Sequence, residues 1–207
     1  MPRAQRFWDR IAEKYAKKPV ADQATYEKKL EIARAYLNTD MNVLEFGCGT
    51  GSTALTLASC VSHIRAVDFS ANMIRAARAK TDAANIDNVS FEQSSFDDLE
   101  VVDSSLDAVL AMSVLHLLED WEEVIASVFR MLKADGVFIS STACIGDMAG
   151  IFQFILPVGY WLRLIPVVKV FSEVELVSEL ENAGFIVEYQ WRPGKGKGVF
   201  IVARKPG

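Results

Sequence analysis

Apolar runs of strand length alternate with stretches of helical period along most of the chain. Tyr26, Leu30, Ala33 and Leu37 recur at helical spacing, so residues 22–37 read as an amphipathic helix. An apolar run at 42–46 then leads into a glycine-rich turn, and 52–59 are helical in composition. Residues 63–67 form the next strand, ending at Asp68, and Ser70 is placed to cap a helix over 71–80. Residues 89–93 alternate as a strand does, while 106–111 form an apolar run, broken only at Asp107, consistent with a buried strand.

Trp121, Val124, Ile125, Val128, Phe129 and Leu132 mark one face of a further helix, which Gly136 is expected to close, and 137–141 make a strand. Ser172 and Glu175 have the spacing of a capping box, and Gly184 ends the helix that follows. Residues 185–189 and 199–203 are strands joined by a glycine- and lysine-rich loop, read as a hairpin turn. Strands alternating with helices predict a largely parallel sheet covered on both faces, with the last two strands antiparallel. No repeat or linker divides the 207 residues, and the expectation is one domain over 1–207 with a helical lid over about 1–37.

Composition changes this picture little. Hydrophobic residues make up 51% and charged residues 24%, as in ordinary globular proteins. The net charge of -5, and a stretch from 92 to 123 without Lys or Arg, argue against nucleic acid as a partner. Cys48, Cys60 and Cys144 lack the spacing of a disulfide framework or zinc site, so no metal is expected. With no apolar leader at the amino terminus, a reducing, cytoplasmic setting is inferred. Residues 150–171 approach the length of a membrane span, but Pro157, Gly159, Arg163 and Pro166 interrupt them. They are read as an apolar cover for the site, within an insert at about 145–171, rather than as a span.

The chemistry concentrates in "NVLEFGCGTGSTAL", residues 42–55. The glycines at 47, 49 and 51 fit neither the G-x-G-x-x-G spacing of dinucleotide sites nor a P-loop. Glu45 would be unwelcome beside phosphate yet suits an ammonium, so the ligand reads as a nucleoside with an amino-acid tail. Asp68, at the end of the next strand, is placed to accept hydrogen bonds from both ribose hydroxyls.

"VLEFGCGTG", "AVDFS" and "MLKADGVFIS", in this order, resemble a class I S-adenosylmethionine-dependent methyltransferase. The amino-terminal "FWDRIAEKYA" is similar to small-molecule methyltransferases of quinone biosynthesis. The resemblance implies a Rossmann-like three-layer sandwich with a mostly parallel seven-stranded sheet, binding S-adenosyl-L-methionine and releasing S-adenosyl-L-homocysteine. It implies that Glu45, Gly47, Cys48, Gly49 and Gly51 surround the methionine part. Asp68 would bind the ribose, and Phe69, Met73 and Met112 would pack around the ligand. Ser95 and Phe96 stand where the family often has Gly-Asp-Ala, so the adenine contact departs from the family pattern.

On the acceptor side, His116 follows the fourth strand and reads either as a general base or as a packing histidine. Tyr15 reads as a residue closing over the site or as plain lid packing. The fourth strand ends in "AMS" rather than Asn-Pro-Pro-Tyr, which disfavours amino-group methylation of nucleic-acid bases or glutamine, and it offers no acid for a catechol-type magnesium site. The apolar composition of the insert favours a small or apolar acceptor over a polymer. Two other functions stay open: a membrane-skimming lipid or quinone methyltransferase, and a non-catalytic S-adenosylmethionine-binding partner subunit. Oligomeric state is left open.

Overall fold

The computed structural model describes residues 3–147, 168–194 and 196–207. Helix α1 (Arg3–Lys17) and helix α2 (Gln23–Ala35, capped by Asp22) precede strand β1 (Asn42–Phe46). Then come α3 (Ser52–Leu57), β2 (His63–Asp68), α4 (Ala71–Ala84), β3 (Val89–Gln93) and β4 (Leu106–Met112). Helix α5 (Trp121–Met131) runs into β5 (Leu132–Thr142). Helix α6 (Glu173–Asn182) and the strands β6 (Ile186–Trp191) and β7 (Val199–Arg204) complete the described elements.

The seven strands form one sheet in the order β3-β2-β1-β4-β5-β7-β6. All pairings from β3 to β5 are parallel, and β7 is antiparallel to both β5 and β6. The chain winds outward from β1 in one direction and then returns to lay β4 on its other side. A crevice opens where strand order reverses, beyond the carboxyl ends of β1 and β4.

Two apolar layers hold the sheet, divided by the alternation within each strand. Val43, Ile64, Leu110, Ile139 and Phe200 face α2, α3 and α4 with Leu30, Leu57 and Ile74. Leu44, Val109, Phe138 and Ile201 face α5 and α6 with Val128, Leu176 and Leu180. The predicted caps form: Ser70 Oγ accepts from Met73 N at 3.2 Å, and Ser172 with Glu175 makes the reciprocal box. Gly184 has φ +102°, and a Cβ there would lie 2.9 Å from the Phe129 ring.

One expectation is corrected. Gly136 does not close α5, because Leu132 already leaves helical geometry with ψ 141° and opens β5. Asp135 takes the left-handed turn at φ +62°, while Gly136 lies inside the strand. Pairing jumps from Leu106↔Leu132 to Ala108↔Val137, so 133–136 bulge out. The last carbonyls of α5 are capped instead by Lys205, whose Nζ donates to Phe129 O (2.9 Å) and Leu132 O (2.7 Å). The predicted apolar cover lies mostly outside the described residues. Among the described residues, no helix is long and apolar enough to cross a membrane.

A candidate cofactor site at the strand crossover

A cavity of about 800 Å³ opens over the carboxyl ends of β1 and β4. Its floor is the glycine loop. Gly47, Gly49 and Gly51 have φ of +64°, +54° and +74°, a region open to glycine at no steric cost. The loop is tied to β2, since Cys48 N donates to Val67 O at 3.0 Å. Gly49 N donates to Asp68 Oδ2 at 2.9 Å. Lys80 pins the far side, with Nζ donating to Thr50 O at 3.0 Å and Thr50 Oγ1 at 2.9 Å.

Glu45 points into this floor from β1. It is 1% exposed, and its Oε2 is buried without a partner. Burial, reinforced by the nearby Asp68 charge, pushes its pKa up to about 8. A buried carboxyl oxygen with no donor is a costly arrangement on its own. A cationic ligand group beside it would supply the missing donor and the missing counter-charge together.

Asp68 closes the ribose end. Its Oδ1 accepts from Ser70 N and its Oδ2 from Gly49 N, both at 2.9 Å. Burial raises its pKa, with these hydrogen bonds opposing the shift. Phe69, Met73 and Phe96 add apolar walls, and Phe96 packs edge-on to Phe46 at 4.8 Å between ring centroids. Ser95 borders the cavity, but its hydroxyl is engaged with Asp98, donating to Oδ2 at 2.6 Å and accepting from the backbone N at 3.3 Å. Asp97, which the sequence reading passed over, also lines the cavity.

Helix α1 sits against the same loop. Asp9 Oδ1 accepts from Ser70 Oγ (2.6 Å) and Asn72 N (3.1 Å), and Gln5 Nε2 donates to Phe69 O (2.9 Å). The residues flanking Asp68 are thus held from above by the segment expected as a lid. Tyr15, at the end of that helix, borders the cavity, is 51% exposed and packs edge-on to Trp8.

Of the residues singled out from sequence, Glu45, Gly47, Cys48, Gly49, Asp68 and Phe69 line the cavity, as do Met73, Ser95, Phe96, Met112 and Tyr15. Gly51 and His116 do not. Gly51 turns the chain into α3, where a Cβ would fall 2.5 Å from the Phe91 ring, so its task is packing behind the loop. His116 sits on a short 3-10 turn (Leu115–Leu117), and its neighbours Val114 and Leu117 form the wall in its place.

Burial lowers the His116 pKa to about 4, and its Nδ1 is buried without a partner. Its backbone carbonyl accepts from Lys169 N at 2.8 Å, anchoring the chain near the end of the apolar insert. This geometry favours the packing alternative over the base. The folded pKa lies below the ordinary value, so the unfolded chain binds more protons, and stability rises with pH across this window. The contribution is present above pH 6.5 and lost as pH falls toward about 4. Denaturation of wild type and His116→Gln at pH 7 and pH 4.5 should show wild type losing on the order of 2 kcal/mol more between them. Parallel losses in the two proteins would contradict a buried neutral imidazole.

Sequence reasoning missed a set of polar residues on the opposite rim, among them Lys29, Ser141 and Lys197. Lys29 lay beside an apolar helical face, Ser141 inside a strand and Lys197 in what read as a plain hairpin loop. Cys144, read as core, is 1% exposed, with burial raising its pKa to about 12.

Residues 37–182 match the family model described as a methyltransferase domain. The malonyl-[acyl-carrier protein] O-methyltransferase of Bacillus anthracis is 31% identical over 107 residues, covering 51% of this chain and 38% of that protein. The demethylmenaquinone methyltransferase of Listeria welshimeri is 31% identical over 98 residues, covering 46% of this chain and 42% of that one. This chain therefore spans less than half the length of the curated relatives it matches. Among solved structures, a Haloferax volcanii methyltransferase from a complex with the Trm112 methyltransferase activator superposes with a TM-score of 0.74. That match covers 97% of this chain and 98% of the other, at 19% identity, and so speaks to the fold alone. With more than half of its residues inside the family match, from just before β1 to the end of α6, the chain belongs to the methyltransferase-domain family.

Proposed function

We propose that this domain is an S-adenosylmethionine-dependent methyltransferase acting on a small, predominantly apolar acceptor. The observation that carries the reading is Glu45, a buried carboxyl with an unpartnered oxygen, set beside a glycine loop that is itself tied to Asp68. Glu45 would take the ammonium of the cofactor, Asp68 its ribose hydroxyls, and Phe69, Met73 and Phe96 its adenine. Asp97 borders that end as well, where the Ser95 hydroxyl is already engaged with Asp98. The bound cofactor would supply a methyl group on a sulfonium, already a good leaving group.

The protein's own part is alignment and exclusion of water, which together are worth ~7–11 kcal/mol of barrier. Trp8 and Tyr15 on α1, which line the cavity, would close over the acceptor. The two named relatives act on chemically different acceptors, so kinship points to the donor and leaves the acceptor to this chain's own residues. A lipid or quinone acceptor taken from a membrane surface remains the second reading, resting on the apolar composition of residues 150–171.

Proton linkage tests the reading directly. Without ligand, the Glu45 pKa of about 8 exceeds its ordinary 4.5, so its contribution to stability is full below pH 4.5 and lost as pH rises through 8. An ammonium placed beside it reverses the preference and expels the proton. Calorimetry of S-adenosylhomocysteine at pH 7, in buffers of different ionisation enthalpy, should report release of about one proton per ligand. Glu45→Gln should release none and bind about tenfold more weakly. Binding by the wild type without proton release would remove Glu45 from the ammonium site.

A further inference from the structure

The cavity has a second charged end that the cofactor does not use. Lys29, half-buried on α2, donates from Nζ to Ser141 Oγ at 2.7 Å, and both residues line the cavity. No carboxylate stands within ion-pair distance of Lys29 among the described residues. The remaining residues (1, 2, 148–167 and 195) contain no Asp or Glu. Asp22, the acid whose charge reaches Lys29, is taken by Thr25 and by Lys197, the latter at 3.2 Å.

An ammonium that has given up part of its hydration for one neutral hydroxyl lacks a counter-charge. Burial accordingly lowers the Lys29 pKa. Among the described residues, two of its three N–H donors are uncommitted, and the Ser141 hydroxyl, having accepted, keeps its own proton to donate. The pair presents a converging set of donors to whatever fills this end.

We propose that Lys29 and Ser141 form the subsite for a carboxylate on the acceptor, so that the substrate is an organic acid with an apolar remainder. The proposal rests on the methyltransferase reading and deepens it. Register assigns the site to the acceptor rather than to the cofactor's own carboxylate. Glu45 pairs with Leu110 on β4, whereas Ser141 on β5 pairs with Met112, two residues farther toward the open edge. Ser141 thus lies two strands across from Glu45, roughly 10 Å in the hydrogen-bonding direction, and farther out along the sheet. An amino-acid group seated at Glu45 leaves Lys29 for a second molecule. Pro193 and Gly198, from the β6–β7 loop, wall the same end.

The test uses matched probes on the protein saturated with S-adenosylhomocysteine. Benzoate and octanoate are titrated against their primary amides by ligand-observed NMR. Wild type should bind each acid about tenfold more tightly than its amide, the scale of a charge-assisted contact. Lys29→Met should bring acid and amide level while S-adenosylhomocysteine affinity stays within about twofold, since the contact removed is to the acceptor and not to the cofactor. Lys29→Arg, which keeps the charge, should retain the preference, and Ser141→Ala should reduce it.

Equal binding of acid and amide by the wild type overturns the proposal. So does a Lys29→Met protein that no longer prefers S-adenosylmethionine over its decarboxylated analogue, which would put the cofactor's carboxylate at Lys29. A wild type that binds no S-adenosylhomocysteine defeats the methyltransferase reading itself, an outcome distinct from either.

Discussion

Gly47→Ala is expected to abolish measurable S-adenosylmethionine binding and to destabilise the fold by about 2–5 kcal/mol. A Cβ at this position would stand 2.4 Å from Val114 Cγ2 and 2.7 Å from Val114 Cβ. Val114 is buried in the turn after β4. The backbone is also left-handed at φ +64°, which costs an L-residue about 1–2 kcal/mol before any clash is counted. Overpacking adds about 1–3 kcal/mol.

Gly49 provides the control within the same loop. It has φ +54° as well, but nothing lies within 4 Å of a Cβ there, because the space beyond is the cavity. Gly49→Ala should therefore cost only the backbone term, about 1–2 kcal/mol, while its methyl group occupies the volume assigned to the ligand. Thermal melts and calorimetry on both variants separate the two effects. Equal melting temperatures would show that the Val114 contact yields, and native ligand affinity in Gly49→Ala would show that the ligand lies elsewhere.

The same loop shows what the sequence makes legible. Glycine spacing, the acid before it and the acid ending β2 are local signals, each within a few residues of the turn it controls, and Glu45, Gly47, Gly49 and Asp68 do line the cavity. Strand and helix positions were equally readable, because periods of two and of 3.6 are set by neighbours in the chain. Gly136 was misread since the end of α5 is decided by β5 pairing with β4 and by Lys205, a residue some 70 positions away. Gly51 and His116 fell behind the wall for a related reason. Being adjacent to a site residue in sequence does not say which of two neighbouring side chains faces the ligand.

Lys29 and Ser141 were missed because their meaning depends on a hydrogen bond across 112 residues. A faint signal existed. Lys29 stands three residues after Tyr26 and four before Ala33, and so flanks the apolar face of its helix rather than the solvent side.

Asp68→Ala is expected to weaken S-adenosylmethionine binding by about 10–150-fold, the loss of a charged hydrogen-bond acceptor worth about 1.5–3 kcal/mol. A carboxylate offers about four acceptor positions. Protein donors occupy one on each oxygen, Ser70 N on Oδ1 and Gly49 N on Oδ2. The remaining positions are available to the ribose hydroxyls. Truncation also strips the Gly49 and Ser70 amides of their partner, so part of the loss reflects a loosened glycine loop. Asp68→Asn, which retains one acceptor oxygen, should recover part of the affinity. The ribose contact itself is isolated with 5'-methylthioadenosine and its 2'-deoxy analogue. Wild type should favour the former about tenfold, and Asp68→Ala should bind both alike, because the hydroxyl then has no acceptor to find. A folded Asp68→Ala protein that keeps both native affinity and the preference for the 2'-hydroxyl would remove Asp68 from the site.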